Sequence, residues 1–172
     1  GAMTVSGFSK ILKGNIEYES IKNAIGKEQW SMADFTGGMG IDCYYLSCKE
    51  ELTLYNEMDN ILCEPPRHNF NLLGRSDIDI SNLTAEEYIV NNGHKHFDLI
   101  YLDPARRSAT GKKLVSISEC MPDVTKLQHR LTAMADIVAV KLSPMLDIST
   151  AIREIEHISH ISYIFSIPIT YI

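Results

Sequence analysis

The sequence predicts an α/β fold, a mostly parallel, doubly wound sheet with helices on both faces. Three observations predict it. Strand-like and helix-like segments alternate from about residue 31 onward, the pattern that builds a parallel sheet through right-handed crossovers. A glycine-rich turn, Asp34-Phe35-Thr36-Gly37-Gly38-Met39-Gly40, joins the first strand directly to a helix. Finally, Asp34, Glu57, Asn82, Asp103 and Lys141 all fall where strands end. In such a sheet those ends share one rim, and ligands bind there.

Residues 3–30 are expected to hold one or two helices. Phe8, Ile11 and Leu12, then Ile16, Ile21 and Ile25, have partly helical spacing, broken at Gly14. This weak periodicity favours a packing helix over a lid. Trp30-Ser31-Met32-Ala33 reads as the end of a buried strand, and Ile41 to Cys48 as the helix after the turn. Strand two is Leu52 to Glu57. Met58 to Leu73 is mostly helical but contains Pro65-Pro66. An interior proline costs about 3 kcal/mol, so a break is expected near Glu64, with a restart placing proline in the first turn and a stop at Gly74.

Strand three is Asp77 to Ile80, alternating with period two. Thr84-Ala85-Glu86-Glu87 is a capping box opening a short helix that closes by Gly93. Strand four, Phe97 to Leu102, runs into Asp103-Pro104-Ala105-Arg106-Arg107 and a polar loop from Ser108 to Lys113. A helix from about Asp123 to Ala135 carries Val124, Leu127, Leu131 and Met134 on one face. Strand five, Ile137 to Val140, is a buried-type run ending in Lys141-Leu142-Ser143-Pro144-Met145-Leu146-Asp147. A helix over Thr150 to His157 and a last strand, Ile161 to Ile167, complete the chain.

The 172 residues suffice for one domain with a real core. We expect a helical segment over 1–30, with Gly1-Ala2 a tag-cleavage scar, and the ligand-binding domain over 31–172. Apolar and charged contents of 45% and 22% are ordinary for a globular protein. No apolar run approaches the ~20 residues of a membrane span, and no secretory signal is visible. A cytoplasmic location and no membrane partner are therefore expected. Cys43, Cys48, Cys63 and Cys120 form no C-x-x-C pair and read as small buried hydrophobes. His94, His96, His157 and His160 have no partner at zinc spacing, so they read as solvated histidines and no metal is expected. Tyr44 and Tyr45 read as helix packing. A net charge of −6 argues against a basic nucleic-acid footprint over the whole domain but permits a local basic patch.

The turn has the pattern D-x-x-G-G-x-G, not the G-x-G-x-x-G of a dinucleotide site. Glycines let the backbone approach a ligand, and the following helix N-terminus offers unpaired N–H groups. Glu57 lies one βα unit later, where a ribose-binding carboxylate is expected. The turn resembles motif I of the class I S-adenosylmethionine-dependent methyltransferases. Asp103-Pro104-Ala105-Arg106-Arg107 resembles their motif IV. With Lys141-Leu142-Ser143-Pro144-Met145-Leu146-Asp147, and with Arg67 to Gly74 after strand two, the chain resembles a bacterial, largely Bacteroidetes, group of RNA methyltransferases that carry a THUMP-like domain. The resemblance covers roughly Ala33 to Ile148.

The resemblance implies a Rossmann-like class I methyltransferase fold with S-adenosylmethionine as cofactor. It implies that Asp34, Thr36, Gly37, Gly38 and Gly40 hold the methionine part. Glu57 takes the ribose hydroxyls and Met58 packs on the adenine, with Asn82 at the adenine edge and Leu83 nearby. Asp103 and the Pro104 carbonyl face the methyl acceptor, with Asp103 also beside the cofactor. Arg106 and Arg107 are free to bind phosphate on an RNA substrate. Other readings of single residues stay open: Asp103 as a turn former, Arg106 and Arg107 as a solvated surface pair, Lys141 as a structural partner of a rim acid.

Two departures from the family pattern bear on the substrate. Ala105 follows Pro104 and no aromatic comes next, so the stacking wall of amino-methylating enzymes is absent. No cysteine stands near strand six to serve as a covalent nucleophile. The full sheet of the family has seven strands in the order 3-2-1-4-5-7-6, and six are counted here. Truncation before the last strand, as a domain excised from a longer protein with additional domains, is therefore expected. The leading function is RNA methylation, at a base. The alternative is a non-catalytic Rossmann-like module binding a nucleotide or S-adenosylmethionine; the glycine spacing disfavours a nicotinamide-linked oxidoreductase.

Overall fold

Residues 18–106, 116–142, 148–156 and 158 are described by the structure, a computed structural model. The strands are β1 (Met32–Asp34), β2 (Thr53–Asn56), β3 (Asp79–Ser81), β4 (Phe97–Leu102), β5 (Ala105–Arg106), β6 (Cys120–Met121) and β7 (Ala135–Val140). The helices are α1 (residues 18–25), α2 (Ile41–Leu46), α3 (Asn60–Leu72), α4 (Ala85–Asn92), α5 (Val124–Met134) and α6 (Ile148–Glu154). Five strands pair in the order β3-β2-β1-β4-β7, each neighbour parallel. This matches the expected order through its fifth strand. Ile161 to Ile167, expected as strand six, lies outside the described residues, as do Arg107 and the Ser143–Asp147 part of the segment after β7.

Alternation along β4 divides the core between the two faces of the sheet. Ile100 and Leu102 join Phe35, Tyr88, Leu127 and Leu131 on the face covered by α4 and α5. Leu99 and Tyr101 join Trp30, Met32 and Leu46 on the other, where Tyr55, Cys63 and Phe70 form a further cluster. Burying a side chain such as Leu131, which is fully covered, stabilises the fold by about 1.5–3 kcal/mol. The described part of the N-terminal segment packs here: Ile21 is buried, and Tyr18 and Ile25 pack with it beside Trp30. This is the packing-helix reading. All four cysteines are buried and free.

Local rules explain most boundaries. Thr84 and Glu87 form the expected capping box, with Glu87 N–H donating to Thr84 Oγ1 at 3.1 Å and Thr84 N–H to Glu87 Oε2 at 2.9 Å. At the end of α3, Gly74 adopts φ +69°. Its N–H reaches the Asn71 carbonyl at 3.2 Å, and Arg75 N–H reaches the Phe70 carbonyl at 2.8 Å. That paired arrangement closes a helix on a left-handed glycine. Strand three starts later than expected because Asp77 is taken by the buried Arg75. The guanidinium also reaches Ser47 Oγ at 2.8 Å and the Cys48 carbonyl at 3.2 Å, and holds the Asp77 carboxyl below its usual range.

The expected break near Glu64 does not occur. Helix α3 runs unbroken through Pro65 and Pro66. Pro66 has no N–H for the Leu62 carbonyl, and the Tyr55 hydroxyl lies 3.2 Å from that oxygen. A side chain from β2 thus replaces the missing donor, offsetting part of the proline cost. The carbonyl freed by Pro65 belongs to Ile61, whose side chain is 79% exposed, so water can reach this part of the helix surface.

Candidate functional site

At the C-terminal rim of the sheet a cavity of about 630 Å³ opens above β1, β2 and β4, within the size range of small-molecule sites. Its floor is the glycine turn. Asp34 ends β1 buried, at 1% exposure. Its Oδ1 accepts from the Thr36 N–H at 2.9 Å and from Thr36 Oγ1 at 3.3 Å. Asp34 Oδ2 is buried with no hydrogen-bond partner among the described residues. Burial pushes the Asp34 carboxyl up to about 7. The two Thr36 hydrogen bonds pull it down, while the negative charges of Asp42 and Asp103 push it up.

The turn is fixed from the β2 side. Gly37 N–H donates to the Asn56 carbonyl at 2.9 Å, and Gly40 N–H to the Gly37 carbonyl at 2.8 Å. Glu57, only 8% exposed, accepts from the Gly38 N–H at 2.8 Å through Oε2 and from the Asp59 N–H at 2.9 Å through Oε1. Each carboxylate oxygen retains a further lone pair, so Glu57 can hold the turn and still accept from a ligand hydroxyl. The Tyr55 hydroxyl sits 2.6 Å from the Gly38 carbonyl. Burial raises its pKa, which keeps it protonated as a donor.

On the β4 side, Asp103 N–H donates to Thr36 Oγ1 at 2.7 Å. Thr36 thereby links the ends of β1 and β4. Lys141 Nζ lies 3.6 Å from Asp103 Oδ2 and 3.6 Å from Asp42 Oδ2. This is the structural pairing with a rim acid that the sequence left open. The short antiparallel pair β5–β6 places Met121 opposite Ala105, and both line the cavity.

Of the residues singled out from sequence, Thr36, Gly37, Gly38, Glu57, Met58 and Asp103 line the cavity. Asp34 and Gly40 are buried beneath the turn, and Pro104 is half-buried beside Asp103. Asn82 and Leu83 are not on the wall. Asn82 Nδ2 donates to the Glu57 carbonyl at 2.7 Å, and Leu83 packs against the core, its carbonyl accepting from Asn56 Nδ2 at 2.9 Å. The Arg106 backbone belongs to β5, while its side chain and all of Arg107 lie outside the described residues. Sequence reading gave no ligand role to Asp42, Thr84, Glu86 or Met121, which also line the cavity. The capping box could have flagged Thr84 and Glu86; nothing local flags Met121. Among the described residues no cluster of His, Cys, Asp and Glu is arranged to hold a metal ion. No helix among them is long and apolar enough to cross a membrane.

The sheet order, with the glycine turn on its central strand, defines a Rossmann-like methyltransferase fold. Among solved structures the chain is similar to a candidate methyltransferase from Porphyromonas gingivalis W83, at 28% identity and a TM-score of 0.64, over 80% of this chain and 34% of that one. A candidate RNA methyltransferase from Pyrococcus horikoshii matches at 15% identity and TM-score 0.51, over 74% of this chain and 59% of that one. An S-adenosylmethionine-dependent methyltransferase from Agrobacterium tumefaciens matches at 15% and 0.50, over 76% and 41%. The chain thus spans about a third of the length of the first and less than two thirds of the others. No family model matches it, and no curated protein does.

Proposed function

We propose that this chain is an S-adenosylmethionine-dependent methyltransferase acting on RNA, at a base. The carrying observation is one cavity with Glu57 on one side of the glycine turn and Asp103 on the other. The residues fit the cofactor. The volume suits a nucleoside carrying an amino-acid tail, Glu57 retains acceptor capacity toward ribose hydroxyls, and a Cβ on Gly38 would meet nothing closer than the Thr36 carbonyl at 3.7 Å. In this reading Asp34, Thr36, Gly37, Gly38 and Gly40 form the floor for the methionine part and Met58 packs on the adenine, a role supported by its half-exposed position on the cavity wall. Asn82 and Leu83 support that side from behind, Asn82 through the Glu57 carbonyl. The likeness to the Porphyromonas gingivalis protein, together with the two motifs, supports methyl transfer; the Arg106-Arg107 pair supports an RNA substrate.

The cofactor supplies an electrophilic methyl group when bound. The chain's own task is to place an acceptor against it and remove a proton. Asp103 is the base and positions the acceptor, with the Pro104 carbonyl as a second acceptor of hydrogen bonds. Arg106 and Arg107 hold substrate phosphate. Thr36 fixes the Asp103 backbone, so the base is set relative to the cofactor floor.

Single-turnover transfer of labelled methyl from S-adenosylmethionine to total RNA from cells lacking the protein tests this. In Asp103→Asn the rate should fall by roughly 10²–10⁴-fold with affinity for S-adenosylhomocysteine nearly intact. Glu57→Ala should weaken that affinity by about 1.5–3 kcal/mol, read by calorimetry. Full activity in Asp103→Asn would remove the base role. Transfer to protein or a small molecule instead of RNA would replace the substrate class. Cofactor binding without transfer to anything would favour the non-catalytic module.

A further inference from the structure

Alanine, not an aromatic residue, stands two positions after Asp103. Among the described residues that line the cavity, Phe35 alone is aromatic. Its ring is 3% exposed and packs against Tyr88 at 5.3 Å, so it offers little face to a ligand. What stands beside Ala105 is Met121. The β5–β6 pair sets Ala105 opposite Met121 and Arg106 opposite Cys120. Directly opposed residues share one face of a strand pair, and successive pairs alternate between faces. Cys120 is buried in the core, so Met121 takes the other face, the one that meets the cavity. It is 42% exposed between the buried Cys120 and Pro122. The segment before β6 is tied down as well. Glu154 of α6 accepts from Ser116 Oγ at 2.8 Å and from the Ile117 N–H at 3.0 Å, and Ile117 is fully buried.

The side of the cavity matters. Glu57 and Met58 follow β2, and Asp103 and Ala105 follow β4, with β1 and its glycine turn between them in the sheet. Met121, paired with Ala105, therefore belongs to the Asp103 side, across the cavity from Met58. Resting on the function proposed above, we propose that Met121 is the acceptor wall: its side chain packs on the RNA base that receives the methyl group, in place of an aromatic ring. Thioether sulfur makes favourable contacts with aromatic rings, and the unbranched chain adapts to their shape. Every base has a π-face, so this wall holds the ring in position without choosing among bases. Ala105 presents only a methyl group opposite it, which leaves the contact to Met121.

Methionine methyl ¹³C NMR reads the contact directly. The Met121 signal is the one lost in Met121→Leu, and the Met58 signal the one lost in Met58→Leu. S-adenosylhomocysteine alone should shift the Met58 methyl. Adding a random-sequence RNA octamer to protein saturated with S-adenosylhomocysteine should then shift the Met121 methyl. A Met121 signal that RNA leaves unmoved would overturn the proposal. In steady-state methyl transfer to total RNA from cells lacking the protein, Met121→Ala should raise KM for RNA about fivefold or more. Both kcat and affinity for S-adenosylhomocysteine should change less than about twofold, since the lost contact is made to the acceptor before and during transfer. Met121→Leu keeps an apolar wall of similar volume and should stay within about twofold of the wild type. An unchanged KM in Met121→Ala would overturn the proposal, as would a loss confined to cofactor affinity. If the wild type transfers no methyl group to RNA, the methyltransferase reading fails by itself. The NMR titration then decides the wall: a Met121 methyl shifted by RNA supports it, and an unmoved one overturns it.

Discussion

Substituting Asp34 by asparagine should change how the stability of this protein depends on pH. Burial pushes the Asp34 carboxyl from its ordinary 3.8 up to about 7. Between those values the folded state keeps a proton that the unfolded chain has released. Stability therefore falls as pH rises from about 4 to about 7, then levels off. At about 1.36 kcal/mol per pH unit, the full effect is about 4 kcal/mol, of which roughly 3 kcal/mol falls between pH 5 and 8. In Asp34→Asn the amide keeps an oxygen for the Thr36 N–H and cannot ionise. Its NH₂ would stand where Oδ2 is buried without a described partner, a cost of about 1–3 kcal/mol that does not vary with pH. Urea unfolding at pH 5, 6, 7 and 8 should show the variant gaining roughly 3 kcal/mol on the wild type across the series. Contributions common to both chains cancel in the difference. Parallel curves would refute the burial of an ionising Asp34.

Two further outcomes follow from the packing under the turn. A Cβ on Gly37 would overlap the Tyr55 ring, which is fully buried; Gly37→Ala should cost about 1–3 kcal/mol of stability in urea melts and weaken S-adenosylhomocysteine binding in calorimetry. Tyr55→Phe removes the hydroxyl shared by the Gly38 and Leu62 carbonyls and should cost about 1–3 kcal/mol. Pro66→Ala returns an N–H to the Leu62 carbonyl, so the same tyrosine change should cost at least about 0.5 kcal/mol less in that background. An additive double-mutant cycle would dissociate the hydroxyl from the helix.

What was legible in the sequence was local. The capping box at Thr84, the alternating run of β4 and the apolar stripe of α5 each follow from neighbours within one or two turns. Strand ends were legible too, because a parallel sheet gathers them on one rim regardless of detail, and so Glu57 and Asp103 meet in one cavity. The misses depend on partners distant in sequence. Helix α3 survives Pro65-Pro66 because a hydroxyl from β2 reaches it. Met121 reaches the cavity through a pairing of two-residue strands, too short to leave a periodic pattern. Asp42 carries no signal of its own; it becomes interesting only when Lys141, from the other side of β1, is seen to bridge it to Asp103. Asn82 is not among the misses: it stands at a strand end as expected, and its Nδ2 donates to the Glu57 carbonyl.

The glycine signature itself needs a divided explanation. Gly37 is required by the Tyr55 ring. Gly40 takes φ +76°, and a Cβ there would lie 2.8 Å from Phe70 and 3.0 Å from Pro66. Gly37 thus serves packing between the turn and β2, and Gly40 packing between the turn and α3. Gly38 differs: its φ is +51° and the nearest atom to a Cβ is the Thr36 carbonyl at 3.7 Å, so its open side belongs to the cavity. The same packing explains why the turn is rigid before any ligand arrives. Tyr55 presses on Gly37 and reaches the carbonyls of Gly38 and Leu62, Pro66 leaves the Leu62 carbonyl in need of it, and Glu57 holds the Gly38 N–H. Restraint of this kind is put in place by folding, so ordering the turn adds little to the entropic cost of binding. The glycines of a motif read as ligand-binding are thus set mainly by how β2 and α3 pack against the turn, and of the three only Gly38 is uncrowded where a Cβ would project.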